Sequence, residues 1–135
     1  MSEILAAWEP RILSVLRIFT GLLVFAHGTA KILGFPVVPN SANVQIGSLI
    51  WTSGIIELIG GALFTVGLCT RPVAFILSGF AAVAYFMVSA PRSFFPILNN
   101  GELASLLSFV FLYFVFSGAG PWSLDAIMKL RSRSD

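Results

Sequence analysis

From residue 72 to residue 90 the chain carries no charged side chain at all. A helix needs about 20 mostly apolar residues to cross the hydrocarbon core of a bilayer. Inside lipid, every backbone donor and acceptor must be satisfied within the segment, which leaves such a run little choice but helix. Three other segments approach that length, at roughly 12–33, 49–69 and 101–118. The first is interrupted by Arg17, His27 and Lys31, and the second by Glu57. Pro72 suits the first turn of the third, where a missing N–H costs nothing. "SGAGPW" ends the fourth, because Gly and Pro stop helices. The expectation is an all-α membrane protein, a single domain over 1–135 built as a four-transmembrane-helix bundle.

Composition agrees. Hydrophobic residues make up 57% and charged residues 10%, with mean hydropathy +0.93. A soluble globule carries about 25% charged residues, so this chain cannot cover a water-facing surface. The net charge of +2 lacks the clustered basic face that nucleic-acid binding needs. With one cysteine, Cys69, the chain forms no internal disulfide, CxxC pair or Cys-rich metal site. One His and one Cys also exclude bis-His haem and an iron–sulfur cluster, and no metal site is expected. "GGALFTVG" is helix-packing glycine, not a dinucleotide fingerprint after a strand. Glu3 and Glu9 spoil a positive n-region and "AHGTAK" is a poor cleavage site, so the first apolar run is expected to stay as a helix.

Basic residues near helix ends set the orientation. Arg11, Arg17, Arg71, Lys129, Arg131 and Arg133 fall on one side, Lys31 and Arg92 on the other. That bias puts both termini in the cytoplasm, with Trp8 and Trp122 at the inner interface and Trp51 at the outer. The tail 123–133, "SLDAIMKLRSR", suits a short amphipathic helix on the inner leaflet. "GLCTRP" is a tight connection between the second and third helices. "GFPVVPNSANVQIGS" and "PRSFFPILNN" are too apolar for solvated loops, and Phe94, Phe95, Ile97 and Leu98 should lie at the interface. Small and polar residues form stripes: Ser53, Glu57, Gly60 and Gly67 on the second helix, Ser78, Ala82, Tyr85 and Ser89 on the third. Small residues let membrane helices approach closely, so Glu57 is expected on a packing face.

A charge at the bilayer centre costs about 2.5–3.5 kcal/mol on insertion scales, so such residues face the bundle and find partners. At 1.5 Å per residue, His27 lies about 9 Å and Glu57 about 12 Å below the outer ends of their helices. They are near one level, with Lys31 a turn further out. Tyr85 lies about one and a half turns below the outer end of the third helix, and Glu102 opens the fourth on the same side. His27, Lys31, Glu57, Tyr85, Asn99 and Glu102 are therefore the ligand-binding candidates, with no catalytic residue assigned. Arg17 and Asp125 are read as a structural charge network. Arg17 has three partners within reach: carbonyls at the end of the fourth helix, Asp125, and Glu57. Each candidate also has a plain structural role. Asn99 and Glu102 fit a capping box, Lys31 can snorkel, His27 can bond a carbonyl, and burial can keep Glu57 neutral. Buried ion pairs stabilise poorly, which tilts the cluster toward a binding pocket open to the outer side.

These stretches resemble the DoxX family of small bacterial membrane proteins. The matching pieces are "RIFTGLLVFAHGTAKILG", "GIIELIGGALFTVGLCTR", "PRSFFPILNNGEL" and "SGAGPWSLD", in order and almost end to end. The resemblance implies a multi-pass protein of the bacterial inner (cytoplasmic) membrane. It also implies a link to thiosulfate:quinone oxidoreduction or to oxidative-stress and thiol-redox partners. The family's recurring polar positions fall on Arg17, His27, Lys31, Glu57, Asn99, Glu102 and Asp125. One departure is Ser89, where members often carry His before Ala-Pro. It puts any function needing two histidines in doubt.

Three functions fit these expectations. The first is a quinone-linked or redox-partner membrane subunit of an oxidoreductase. His27 and Tyr85 would donate to quinone carbonyls, Glu57 and Glu102 would pass protons, and Lys31 would tune them. With quinone as cofactor and no redox centre in the chain, electrons would come from a partner or substrate. The second is a scaffold that recruits a soluble redox enzyme at the cytoplasmic face through Lys129–Arg133. The third, ranked last, is a small-molecule transporter formed by a homo-oligomer; no inverted repeat or broken helix supports it.

Overall fold

The computed structural model describes residues 2–39 and 44–133. Among these the structure is helical: α1 (Ser2–Ile32), α2 (Leu49–Val66), α3 (Thr70–Ala84), α4 (Pro96–Asn99), α5 (Glu102–Ser117) and α6 (Leu124–Arg131). A single π-helical turn, Tyr85–Ser89, continues α3. Among the described residues three helices are long and apolar enough to cross a membrane: α1, α2, and α3 with its π turn. The fourth apolar helix, α5, has 16 residues, about 24 Å at 1.5 Å per residue against a core of about 30 Å. Part of the long connection between α1 and α2, residues 40–43, lies outside the described residues.

The chain divides into two compact units, one holding the residues up to Thr70 with those from Ala119 onward, the other Arg71–Gly118. In the first unit α1 and α2 run antiparallel. Moving up α1, Gly21 meets Thr65, Phe25 meets Gly61, Gly28 meets Leu58 and Lys31 meets Gly54. The helices touch backbone to backbone, as small residues allow where lipid offers no hydrophobic drive between helices. A Cβ on Gly28 would lie 2.4 Å from the Leu58 nitrogen, and one on Gly61 2.5 Å from the Phe25 nitrogen. This corrects the expected stripe. The buried face of α2 is Gly54, Glu57, Gly61 and Phe64, so Gly61 rather than Gly60 makes the contact. Gly67 lies beyond the helix as its left-handed cap, at φ 70°.

α1 begins ten residues before the expected start near residue 12. Pro10 withholds one backbone donor and the helix runs through it. The Ser2–Glu9 stretch is rich in Leu, Ala and Glu, which are strong helix formers. It is exposed, and the Arg11 guanidinium lies over the Trp8 ring at 5.0 Å.

In the second unit α3 and α5 pack together. Ser78 Oγ donates to the Ser108 carbonyl at 2.7 Å, and Val73, Ala74, Leu77, Ala81, Phe111 and Phe114 are buried. The apolar run before α5 folds into α4 with Phe94, Phe95, Ile97 and Leu98 all exposed. The tail forms α6 with no buried residue, its last turn carrying Lys129 and Arg131.

The backbone contact at Gly28 gives a test. Gly28→Ala should destabilise by about 1–3 kcal/mol, the usual cost of overpacking. Gly79 sits in α3 with nothing within 4 Å of a new Cβ. Gly79→Ala should hold or raise stability by about 0.5–1 kcal/mol, since alanine is the better helix former. Unfolding in detergent micelles checks both, and equal losses would refute the close α1–α2 contact.

Candidate functional site

Two charged clusters lie in the first unit, and one uncharged polar cluster in the second. Arg17 is buried, with 1% of it exposed. Its guanidinium donates through Nη1 to the Ala119 carbonyl. Nη2 donates to the carbonyls of Trp122 at 2.6 Å and Thr65 at 3.2 Å. The reason is local. α2 ends at Val66, so the Thr65 carbonyl lies in its last turn, where helices leave acceptors unpaired. "SGAGPW" stops the chain from continuing as helix, which strands the carbonyls of Ala119 and Trp122. A guanidinium carries five donors in a rigid fork and serves several acceptors at once. Gly67 leaves the space it needs, since a Cβ there would sit 2.6 Å from Arg17 Nη1 and 2.5 Å from Ser123 Cβ.

Asp125 completes this end. Its carboxylate accepts from the backbone N–H groups of Cys69 and Thr70, both at 2.8 Å. Its own N–H donates to the Gly67 carbonyl at 2.9 Å. A residue in the first turn of α6 thus caps the start of α3, where anions are favoured. The Trp122 N–H donates to Ser14 Oγ at 3.2 Å, and Ser14 donates to the Pro10 carbonyl at 3.2 Å. Arg17 therefore ties the C-terminal segment to α1 and α2 through carbonyls, not through Glu57.

Glu57 pairs elsewhere. Lys31 Nζ lies 2.7 Å from Glu57 Oε2 and 2.9 Å from Oε1. The same ammonium donates to Ser53 Oγ at 3.1 Å, while Ser53 donates to the Ile50 carbonyl at 2.7 Å. Glu57 is buried and the Lys31 side chain is 26% exposed, so the pair has one open side. Gly54 makes the reach possible: a Cβ there would press on Lys31 Cβ at 2.9 Å. The Lys31–Glu57 contact is an ion pair that joins α1 to α2. His27, placed level with Glu57 by depth, is instead exposed and makes no hydrogen bond or ion pair among the described residues. Depth is a one-dimensional measure; the helical turn puts His27 on the outer rim of α1, and the longer Lys31 reaches inward past it.

The second unit gathers Tyr85, Asn99 and Gly101. Asn99 is fully buried. Its Nδ2 donates to the Ser93 carbonyl at 2.9 Å and to the Tyr85 hydroxyl at 3.3 Å. Its Oδ1 accepts from the Gly101 N–H at 2.7 Å. This corrects the capping-box expectation. Asn99 closes α4, and the N-cap of α5 is Gly101 with no side-chain bond. Glu102 is exposed in the first turn of α5, where a negative charge complements the helix dipole. Tyr85 opens the π turn, a feature frequent at functional sites. Among the described residues no three His, Cys, Asp or Glu side chains converge as a metal set.

Apolar helices of membrane-spanning length, glycine-packed and carrying an ion pair and a carbonyl-bound arginine, define an integral membrane protein. Residues 12–90 match the DoxX family model, and the chain belongs to that family. It is 46% identical over 125 residues to an uncharacterized protein of Haemophilus influenzae, covering 90% of this chain and 93% of that one. It is 30% identical over 115 residues to a Bacillus subtilis protein named "Putative oxidoreductase CatD", covering 82% of each. No solved structure matches.

The clamp at Arg17 predicts a large mutational cost. Each buried acceptor left unpaired costs about 1–3 kcal/mol, so Arg17→Met should lose more than about 3 kcal/mol. Arg17→Lys should recover only part, because one ammonium cannot reach carbonyls served from separate nitrogens. Chemical unfolding in micelles reads both; a Met variant as stable as the parent would contradict the clamp.

Proposed function

We propose that the chain is a four-span protein of the bacterial inner membrane, both termini cytoplasmic, and that it serves a quinone-linked redox system. The observation that carries this reading is the Lys31–Glu57 pair with Ser53 at membrane depth. Apolar side chains of similar volume often stabilise as well as a buried ion pair does, so stability alone gives little reason to place one there. The pair has the chemistry a quinone carbonyl needs: an ammonium to donate to the oxygen, and a carboxylate to receive or return a proton. The relative from Bacillus subtilis, named as an oxidoreductase, supports the redox assignment. Electrons would come from a partner or substrate, and the proton work would fall to Lys31 and Glu57. Tyr85 and Asn99 are proposed as further polar contacts, and His27 and Glu102 as groups of the outer side.

A decylquinone titration of the purified protein tests this against a purely structural pair. Lys31→Met alone should destabilise by about 3–5 kcal/mol, because it leaves an uncompensated buried carboxylate. Lys31→Met with Glu57→Leu should regain most of that stability and lose quinone binding. A double variant that binds quinone like the parent would rule out the pair as the site. The scaffold reading, supported by the basic, unburied α6, would then stand in its place.

Topology has its own probe in Cys69, which is exposed just before α3. A membrane-impermeant maleimide should leave it unlabelled in intact spheroplasts and label it once the membrane is opened. Labelling of sealed spheroplasts would reverse the proposed orientation.

A further inference from the structure

Within the second unit α3 and α5 form an open groove of about 570 Å³, lined by Arg71, Pro72, Phe75, Ile76, Val115 and Phe116. Ligand clefts commonly measure about 300–1,000 Å³. Every wall is apolar except at one end. There Arg71 stands in the first turn of α3, with Phe75 one turn further in, about 6 Å along the axis. Phe75, Ile76 and Phe116 are 66%, 59% and 74% exposed. Arg71 is exposed, and no carboxylate lies within ion-pair distance of it among the described residues. Its guanidinium passes over Gly118, where an added Cβ would stand 3.6 Å from Nε and Nη2. The cation thus stands at the mouth of an open apolar groove, at the end of a membrane-spanning helix.

We propose that this groove binds an anionic phospholipid. The phosphate sits on the Arg71 guanidinium, and one acyl chain lies along Phe75, Ile76, Val115 and Phe116. Charge and shape select this occupant together. A guanidinium fork matches phosphate oxygens bidentately. Basic pockets between membrane helices at the interface take lipid head groups. A neutral quinone carbonyl accepts a hydrogen bond from a cation but brings no negative charge for the guanidinium fork to pair with, and a free phosphate gains nothing from the apolar walls. The walls belong to α3 and α5, so the occupant arrives from the lipid phase. The proposal needs the membrane reading but not the quinone reading.

The test is lipid retention by native mass spectrometry, after delipidation and reloading with phosphatidylglycerol or phosphatidylcholine of identical chains. The parent should retain phosphatidylglycerol severalfold better. Arg71→Gln should bring its retention down to the phosphatidylcholine level, and Val115→Trp, which fills the groove and keeps the charge, should lower it too. Both variants should unfold like the parent and bind decylquinone like the parent, which separates this site from the Lys31–Glu57 pair. Equal retention of the two lipids by the parent, or undiminished phosphatidylglycerol on Arg71→Gln, would overturn the proposal. So would displacement of the lipid by millimolar inorganic phosphate, which would make the site a phosphate site.

Discussion

One guanidinium holds the first unit closed. Arg17 takes up carbonyls from the end of α2 and from the glycine–proline break that precedes α6. Without those bonds, the acceptors would be left unpaired at a buried position, which membrane surroundings penalise heavily. Other features of that end follow from it. Gly67 must be glycine because the guanidinium and Ser123 occupy the space of a Cβ. The C-terminal segment must return to α1, and once there Asp125 can cap the Cys69 and Thr70 N–H groups. A charge deep in a membrane helix thus acts chiefly as a backbone partner, with the Asp125 carboxylate attracting it electrostatically from beyond ion-pair distance.

The second pair of charges follows a different logic. Lys31 and Glu57 meet each other rather than the backbone, and they do so because Gly54 and Gly28 let α1 and α2 come together. An ion pair is not required to join two helices that already touch through glycine. It is retained at a partly open position, with Ser53 turned toward it. That combination of tight packing beneath and polar chemistry at the rim distinguishes it from the Arg17 clamp. It is the reason the redox proposal rests on Lys31 and Glu57.

Much of the architecture was legible in the chain. Apolar runs predict helices because lipid leaves the backbone no alternative, and the breaks at "GLCTRP" and "SGAGPW" fall where the structure ends α2 and α5. The amphipathic tail is a helix, and the Phe94–Leu98 apolar side chains are exposed. Partner choice was less legible. Depth arithmetic placed His27 level with Glu57 and Lys31 a turn further out, but depth carries no helical phase, and the phase leaves His27 exposed and brings Lys31 to Glu57. The capping-box spacing from Asn99 to Glu102 was present, but Asn99 spends its side chain on Tyr85, Ser93 and Gly101. Gly54, one turn before Glu57, was the signal that a long side chain from α1 could lie there.

What the sequence determined by itself is the class of the protein. Hydropathy and scarcity of charge act residue by residue, and they require membrane helices whatever the packing. What the tertiary structure alone decided is which polar groups meet. Arg17 could have reached carbonyls, Asp125 or Glu57, and the folded-back C-terminal segment brings it carbonyls to bond and the Asp125 charge to face. The register of α1 on α2 is set by which glycines allow backbone contact, and a shift of one residue, from Gly60 to Gly61, changes the face that α2 presents. Pairing depends on that rotation, which no property of a single helix contains.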